Sequence, residues 1–131
     1  MKFPPPVAEL IGFEVVRVED GESEVTLDVD ERHSNPMGTV HGGILCDLAD
    51  AAMGTAFFST LEEGESFTTL ELKINYTRPF WTGRLVAHGR VVQRGKRVGL
   101  AECRVEDAEG RLIAYSTSTC MVLRGDAAAG R

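Results

Sequence analysis

The sequence predicts an α+β domain in which one long helix lies beside a large antiparallel sheet. Three observations carry that reading. Apolar and polar residues alternate along several runs, short glycine-containing turns join those runs, and one small-residue stretch has the length of a helix. The 131 residues are a typical single-domain length, and no repeat, low-complexity run or linker divides them, so residues 1–131 read as one domain.

The prolines at 4–6 lead into a short helix predicted over Val7 to Ile11 and stopped by Gly12. Two strands, Phe13 to Asp20 and Glu22 to Asp30, flank Asp20-Gly21, a strong hairpin dipeptide. Val25, Leu27 and Val29 alternate with polar neighbours, so one face of the second strand is buried. The polar segment Glu31 to Gly38 contains Asn35-Pro36 and reads as a loop. The long helix spans about Gly43 to Ser59. Ala49, Ala51, Ala52, Gly54 and Ala56 leave it little bulk and few of its residues are charged, which predicts burial nearly all round. After a polar loop from Leu61 to Ser66, strands follow over Phe67 to Arg78, Arg84 to Arg94, Arg97 to Asp107 and Arg111 to Arg124. Their turns, Thr82-Gly83, Arg94-Gly95-Lys96 and Glu109-Gly110, are each short enough for a hairpin, which predicts a meander. Gly125 to Arg131 reads as a frayed, disordered tail.

Composition removes several function classes. Hydrophobic residues make up 43% and charged residues 26%, as in ordinary globular proteins. No apolar run is long enough for a bilayer, and MKFPPPVAEL has no apolar core of a secretory signal, so the expectation is a cytoplasmic protein without a membrane partner. A net charge of −6 argues against a nucleic-acid partner, although a local basic patch can still hold phosphates. Cys46, Cys103 and Cys120 have neither disulfide-framework nor zinc-site spacing and read as small buried hydrophobes, so no metal is expected. His33 and His88 have no partner spacing and read as ordinary surface or sheet residues.

The chemistry concentrates in Asn35-Pro36-Met37-Gly38-Thr39-Val40-His41-Gly42-Gly43 and the helix that follows. Two glycines weaken a helix start, but they let a ligand approach backbone N–H groups that the first turn leaves unpaired. Those donors and the positive helix end suit a developing oxyanion. Asp50 lies two turns on, on nearly the same face as Gly43, and an acid on so apolar a helix is a candidate nucleophile or general base. Asp47 falls on a different face and reads as solvated. The rise from Gly42 or Gly43 to Asp50 is roughly 10–12 Å at 1.5 Å per residue. One carbonyl cannot touch both within one chain. A two-fold dimer with antiparallel helices would bring them together in two composite sites.

The pattern N-x-x-G-x-x-H-G-G, with an acid nine residues after the histidine and Asn75-Tyr76-Thr77-Arg78-Pro79 on a later strand, resembles the hot-dog-fold acyl-CoA thioesterases. Within them it is most similar to the PaaI-type group, related to 4-hydroxybenzoyl-CoA thioesterases. The resemblance covers nearly the whole chain and implies a curved antiparallel sheet wrapped around one central helix. It implies that Asp50 attacks the thioester carbon or activates water, that the Gly42 N–H polarises the carbonyl, and that Asn35 helps place the carbonyl or water. A strand hydroxyl from the partner chain, Thr69 with Thr68 as fallback, would assist the water. His41 would position loop and substrate, beside Gly43. Where some relatives carry threonine this chain has Gly54. A tetramer built of two dimers is also implied, with an acyl-CoA as substrate and no cofactor, coenzyme A being part of the substrate.

Plainer readings stand beside these. Asp50 fits a structural pair, Asn35 a turn before Pro36, Thr69 an ordinary strand position, and Arg94, Lys96 and Arg97 a solvated turn as well as a phosphate grip. The expected activity is hydrolysis of a small aromatic or short-to-medium acyl-CoA. The alternatives are a hydratase or dehydratase, disfavoured because the helix has no histidine to pair with Asp50, and a non-catalytic acyl-CoA-binding or sensing protein.

Overall fold

A computed structural model describes residues 2–131. Helix α1 covers Pro6–Ile11, strands β1 and β2 cover Glu14–Glu19 and Glu22–Val29, and helix α2 covers Gly42–Phe58. Strands β3 to β6 then cover Glu65–Tyr76, Gly83–Arg94, Val98–Asp107 and Leu112–Arg124. The β1–β2 hairpin turns on Asp20 and Gly21, both at positive φ (48° and 80°), as a two-residue turn with matching twist requires.

All six strands form one antiparallel sheet in the order β1-β2-β4-β5-β6-β3. This is the hot-dog architecture, one sheet curled around one helix. The simple meander is corrected in one respect. β3 and β4 are not a hairpin: β3 pairs with β6 at the far edge, while β4 returns to pair with β2. The link through residues 77–82 is therefore a crossover, a long-range arrangement that its short turn signal did not reveal.

Helix α2 packs across β2, β4 and β5 through Leu45, Leu48, Ala49, Ala52, Met53, Ala56 and Phe57, all buried. Small residues set the distance. The Ser23 hydroxyl donates to the Ala52 carbonyl at 2.5 Å, and a Cβ at Gly89 would overlap that same carbonyl. Expected burial all round is also corrected. Asp50 and Phe58 are exposed and Asp47, Gly54 and Thr55 are half-buried, so one side of α2 faces open space. The sheet covers the side carrying Leu45, Leu48, Met53 and Phe57 and leaves Asp47, Asp50 and Phe58 on the other.

Cys103 and Cys120 are buried as expected, but Cys46 is half-buried. His33 is not a surface residue. It is 4% exposed, accepts from the Asp30 N–H at Nδ1 (3.0 Å) and donates from Nε2 to the Ile11 carbonyl (2.7 Å), tying the loop to α1. His88 lies on the outer sheet face between Glu24 and Glu106. The tail carries a 3-10 turn over Gly125–Ala128. No helix is long and apolar enough to cross a membrane, and among the described residues no cluster of metal-ligating side chains occurs.

Candidate active site

The start of α2 is built by its flanking residues. His41 is the N-cap: its Nδ1 accepts from the Gly43 N–H at 2.9 Å, and its own N–H donates to the His33 carbonyl at 2.7 Å. In the neutral ring the proton therefore sits on Nε2. This bond occupies the Gly43 N–H, so Gly43 does not offer the donor expected of it. Among the described residues the Gly42 N–H donates to nothing, and it stands at the positive end of a 17-residue helix.

Tyr76 closes over the same point. Its hydroxyl donates to the Gly42 carbonyl at 3.1 Å and lies 3.4 Å from Cys46 Sγ. That neighbouring thiol, together with burial, pushes the phenol up to about 12, so it remains a donor at neutral pH. A Cβ on Gly42 would stand 2.8 Å from the Tyr76 oxygen, so any larger residue here must push the Tyr76 ring aside. Gly42, Asn35, Tyr76, Arg78 and Phe80 line a cleft of about 430 Å³.

Asn35 is engaged within its own loop. Its Oδ1 accepts from the Met37 and Thr39 N–H groups (2.9 and 3.2 Å), and its Nδ2 donates to Thr39 Oγ1 at 2.8 Å. One amide hydrogen remains for a ligand in the cleft it shares with Gly42.

Asp50 occupies a different cleft, on the open side of α2. This space of about 330 Å³ is walled by Phe3, Val7, Phe13, Val15, Phe58 and Phe67, with Gly54 and Thr55 along the helix. Asp47 lines it too, which corrects its placement on a separate solvated face. The two acids are three residues apart on a helix and are neighbours for that reason. Although Asp50 is exposed in the single chain, crowding protein and the Asp47 charge both push its carboxyl above the ordinary carboxylate range. Crowding raises Asp47 as well.

Thr69 pairs with Cys120 in the β3–β6 ladder, and its hydroxyl lies 3.8 Å from Cys120 Sγ. Burial raises the Cys120 thiol, and the Asp50 charge adds to that rise. Thr68, the next residue along the strand, projects from the opposite face. A bulge at Leu70 interrupts the ladder immediately after Thr69. Thr55 turns its hydroxyl back to the Ala51 carbonyl at 2.7 Å and so serves its own helix.

The basic turn divides. Arg94 is committed internally: it donates to Glu65 (2.7 Å), Thr60 (3.1 Å) and the Gly95 carbonyl, with its guanidinium 5.5 Å from the Phe57 ring centroid. It clamps the end of α2 to β3, so its guanidinium is already engaged within the chain. Lys96 and Arg97 are exposed, and among the described residues neither forms an ion pair.

Each chain therefore presents an unpaired N–H at the start of α2 and, midway along the same helix, a carboxylate in an apolar cleft. A family model described as the thioesterase superfamily matches residues 37–114, from just before the helix start into β6. The chain belongs to the thioesterase superfamily. It is similar to the 1,4-dihydroxy-2-naphthoyl-CoA hydrolase of Listeria monocytogenes, 31% identical over 87% of this chain and 93% of the relative. A solved thioesterase family protein from Silicibacter pomeroyi superposes with a TM-score of 0.86 at 30% identity, covering 92% of this chain and 91% of that one. A mutant form of the phenylacetic acid degradation protein PaaI from Thermus thermophilus gives 0.83 at 30% identity, covering 89% and 98%.

This thioesterase is a thioester hydrolase of hot-dog fold. The sequence marks neither Asp47 nor Tyr76 as a site residue. Asp47 had a usable signal, the i, i+3 spacing to Asp50. Tyr76 stands in the strand motif 75–79, but its contact with Gly42 joins residues 34 positions apart and has no local signal.

Proposed function

We propose that the chain hydrolyses an acyl-CoA with an uncharged aromatic or short-to-medium acyl group, in a composite site between two copies. The observation that carries this is the division of the parts. A free helix-start N–H at Gly42 and a carboxylate at Asp50 lie in separate clefts, and each lacks what the other supplies. In a two-fold dimer with antiparallel helices, Gly42 of one chain meets Asp50 of its partner.

The thioester oxygen accepts the Gly42 N–H, and the helix end stabilises the negative charge that develops there. The partner's Asp50 takes a proton from a water that attacks the carbonyl carbon, or attacks that carbon itself. The C–S bond breaks and the thiolate of coenzyme A leaves. In the second case water then hydrolyses the acyl–Asp50 anhydride to free acid. Asn35 steadies the carbonyl with its remaining amide hydrogen, and Thr69 steadies the water beside Asp50. His41 holds the loop by capping the helix. The acyl group rests on the apolar wall around Phe58 and Phe67, while Lys96 and Arg97 are the turn cations open to phosphates. The reaction takes place in the cytoplasm.

Steady-state release of free acid and coenzyme A from a panel of aromatic and aliphatic acyl-CoAs tests this, with products detected directly because the chain's own thiols react with thiol reagents. Asp50→Asn is expected to lower kcat by about 10²–10⁴-fold, the usual worth of a positioned proton acceptor, with folding intact. Binding without turnover by the native protein would make the chain an acyl-CoA-binding module instead.

A further inference from the structure

Helix α2 contains a glycine that its backbone does not require. Gly54 sits mid-helix, outside the left-handed region. Glycine there destabilises a helix relative to alanine, because the freer unfolded backbone has more to lose. Other glycines of the fold have a steric reason. A Cβ at Gly89 would overlap the Ala52 carbonyl, and one at Gly99 would overlap the Phe57 ring. At Gly54 a Cβ would meet only Phe67 Cζ at 3.8 Å, an ordinary van der Waals contact. Packing within the chain permits a side chain, yet none is present.

Such a side chain would enter the cleft. Gly54 lies one turn beyond Asp50 on the same side of the helix, and both line the 330 Å³ space that Phe58 and Phe67 also wall. We infer that Gly54 is a specificity-determining residue, its missing side chain keeping the cleft beside Asp50 deep enough for aryl and medium-chain acyl groups. This rests on the reading of that cleft as the acyl site. A larger residue at 54 would fill the space next to the reacting carbon while leaving the carboxylate in place. It would also favour the helix. Stability and substrate range should therefore move in opposite directions, which a merely structural glycine would not produce.

The test compares the native protein with Gly54→Ala and Gly54→Leu on acetyl-, hexanoyl- and phenylacetyl-CoA, together with thermal melts and light-scattering mass. Alanine is expected to raise Tm by about 4 °C, the usual effect of removing a helix-interior glycine from a chain this long. Leucine is expected to lower kcat/KM on hexanoyl- and phenylacetyl-CoA at least about tenfold while acetyl-CoA stays within about twofold, a pocket-filling discrimination. Should leucine unfold the chain, alanine decides: a phenylacetyl-to-acetyl ratio reduced about threefold supports the inference, and an unchanged ratio overturns it. Equal losses on all three substrates overturn it as well. So does a drop in both Tm and particle mass, which would assign the space to the partner's helix. If the native protein turns over none of the three, the reading of the cleft as an acyl site has failed first; normal turnover with an unshifted ratio fails this inference alone.

Discussion

Two influences of the same sign act on Asp50. Crowding by protein raises its carboxyl, and the Asp47 charge raises it further. In the unfolded chain neither acts, so the unfolded state gives up this proton at a lower pH than the folded state does. Stability is then lost as pH rises from the ordinary carboxylate range to the raised folded value, and the deficit persists at neutrality. Asp50→Asn should therefore raise Tm at pH 7 even as it removes activity, a trade expected where a site is built against stability. The pH profile of kcat/KM carries the second consequence. In the proposed mechanism an ionised Asp50 is the active form, so Asp47→Asn should move the acidic limb to lower pH while leaving a working enzyme. An unmoved limb would mean that the two carboxyls do not communicate. At this scale much was readable in advance. The acid on an apolar helix, the paired glycines and a histidine beside the helix start follow from residue type and spacing. That Asp47 shares the cleft and that His41 caps the helix do not. That His41 occupies the Gly43 N–H and leaves that of Gly42 depends on one ring orientation, which no spacing specifies.

The start of α2 is held by Tyr76 of β3, and that contact makes Gly42 sensitive to any added atom. In Gly42→Ala the new methyl would lie 2.8 Å from the Tyr76 oxygen. Either the Tyr76 ring swings off the Gly42 carbonyl or the helix start moves, and both disturb the setting of the N–H. A loss of about 10²-fold in kcat is expected, the usual cost of misplacing one oxyanion donor. Clearing the obstruction with Tyr76→Ala in the same chain should recover part of that loss, and kinetics of the single and double variants measure the coupling. The basic turn between β4 and β5 should divide by role. Arg94→Ala should lower Tm by about 3–6 °C through lost bonds to Glu65 and Thr60 with little change in KM. Lys96→Ala and Arg97→Ala should leave Tm unchanged and raise KM, with a dependence on salt. Element types were legible from periodicity and turn residues. Their ends were less so: β3 begins at Glu65, two residues before its apolar run, because Glu65 and Ser66 pair with Arg124 and Leu123 of a distant strand.

Across the whole molecule, the strand order is what local patterns do not encode. β3 lies at the sheet edge beside β6 rather than next to β4, a placement decided by which strands bury each other around α2. The placement has a consequence for assembly. β3 has 12 residues and pairs on one side only, with Leu70 54% exposed at its bulge, and it lies beside the open side of α2. Long unpaired edges are liabilities that proteins cover. A second copy would cover both this edge and the open helix side, and it would bring Asp50 to the partner's Gly42.

Subunit mixing tests that arrangement most directly. Asp50→Asn and Gly42→Val, each inactive and each shown by thermal melt to fold, are unfolded together and refolded at equal concentration. In a composite site, every hybrid dimer contains one pairing of intact Gly42 with intact Asp50. Half the dimers are hybrids with one of two sites restored, so activity should return to about a quarter of native. If each site lay within one chain, no combination would contain an intact one, and a mixture as inactive as its components would contradict the account.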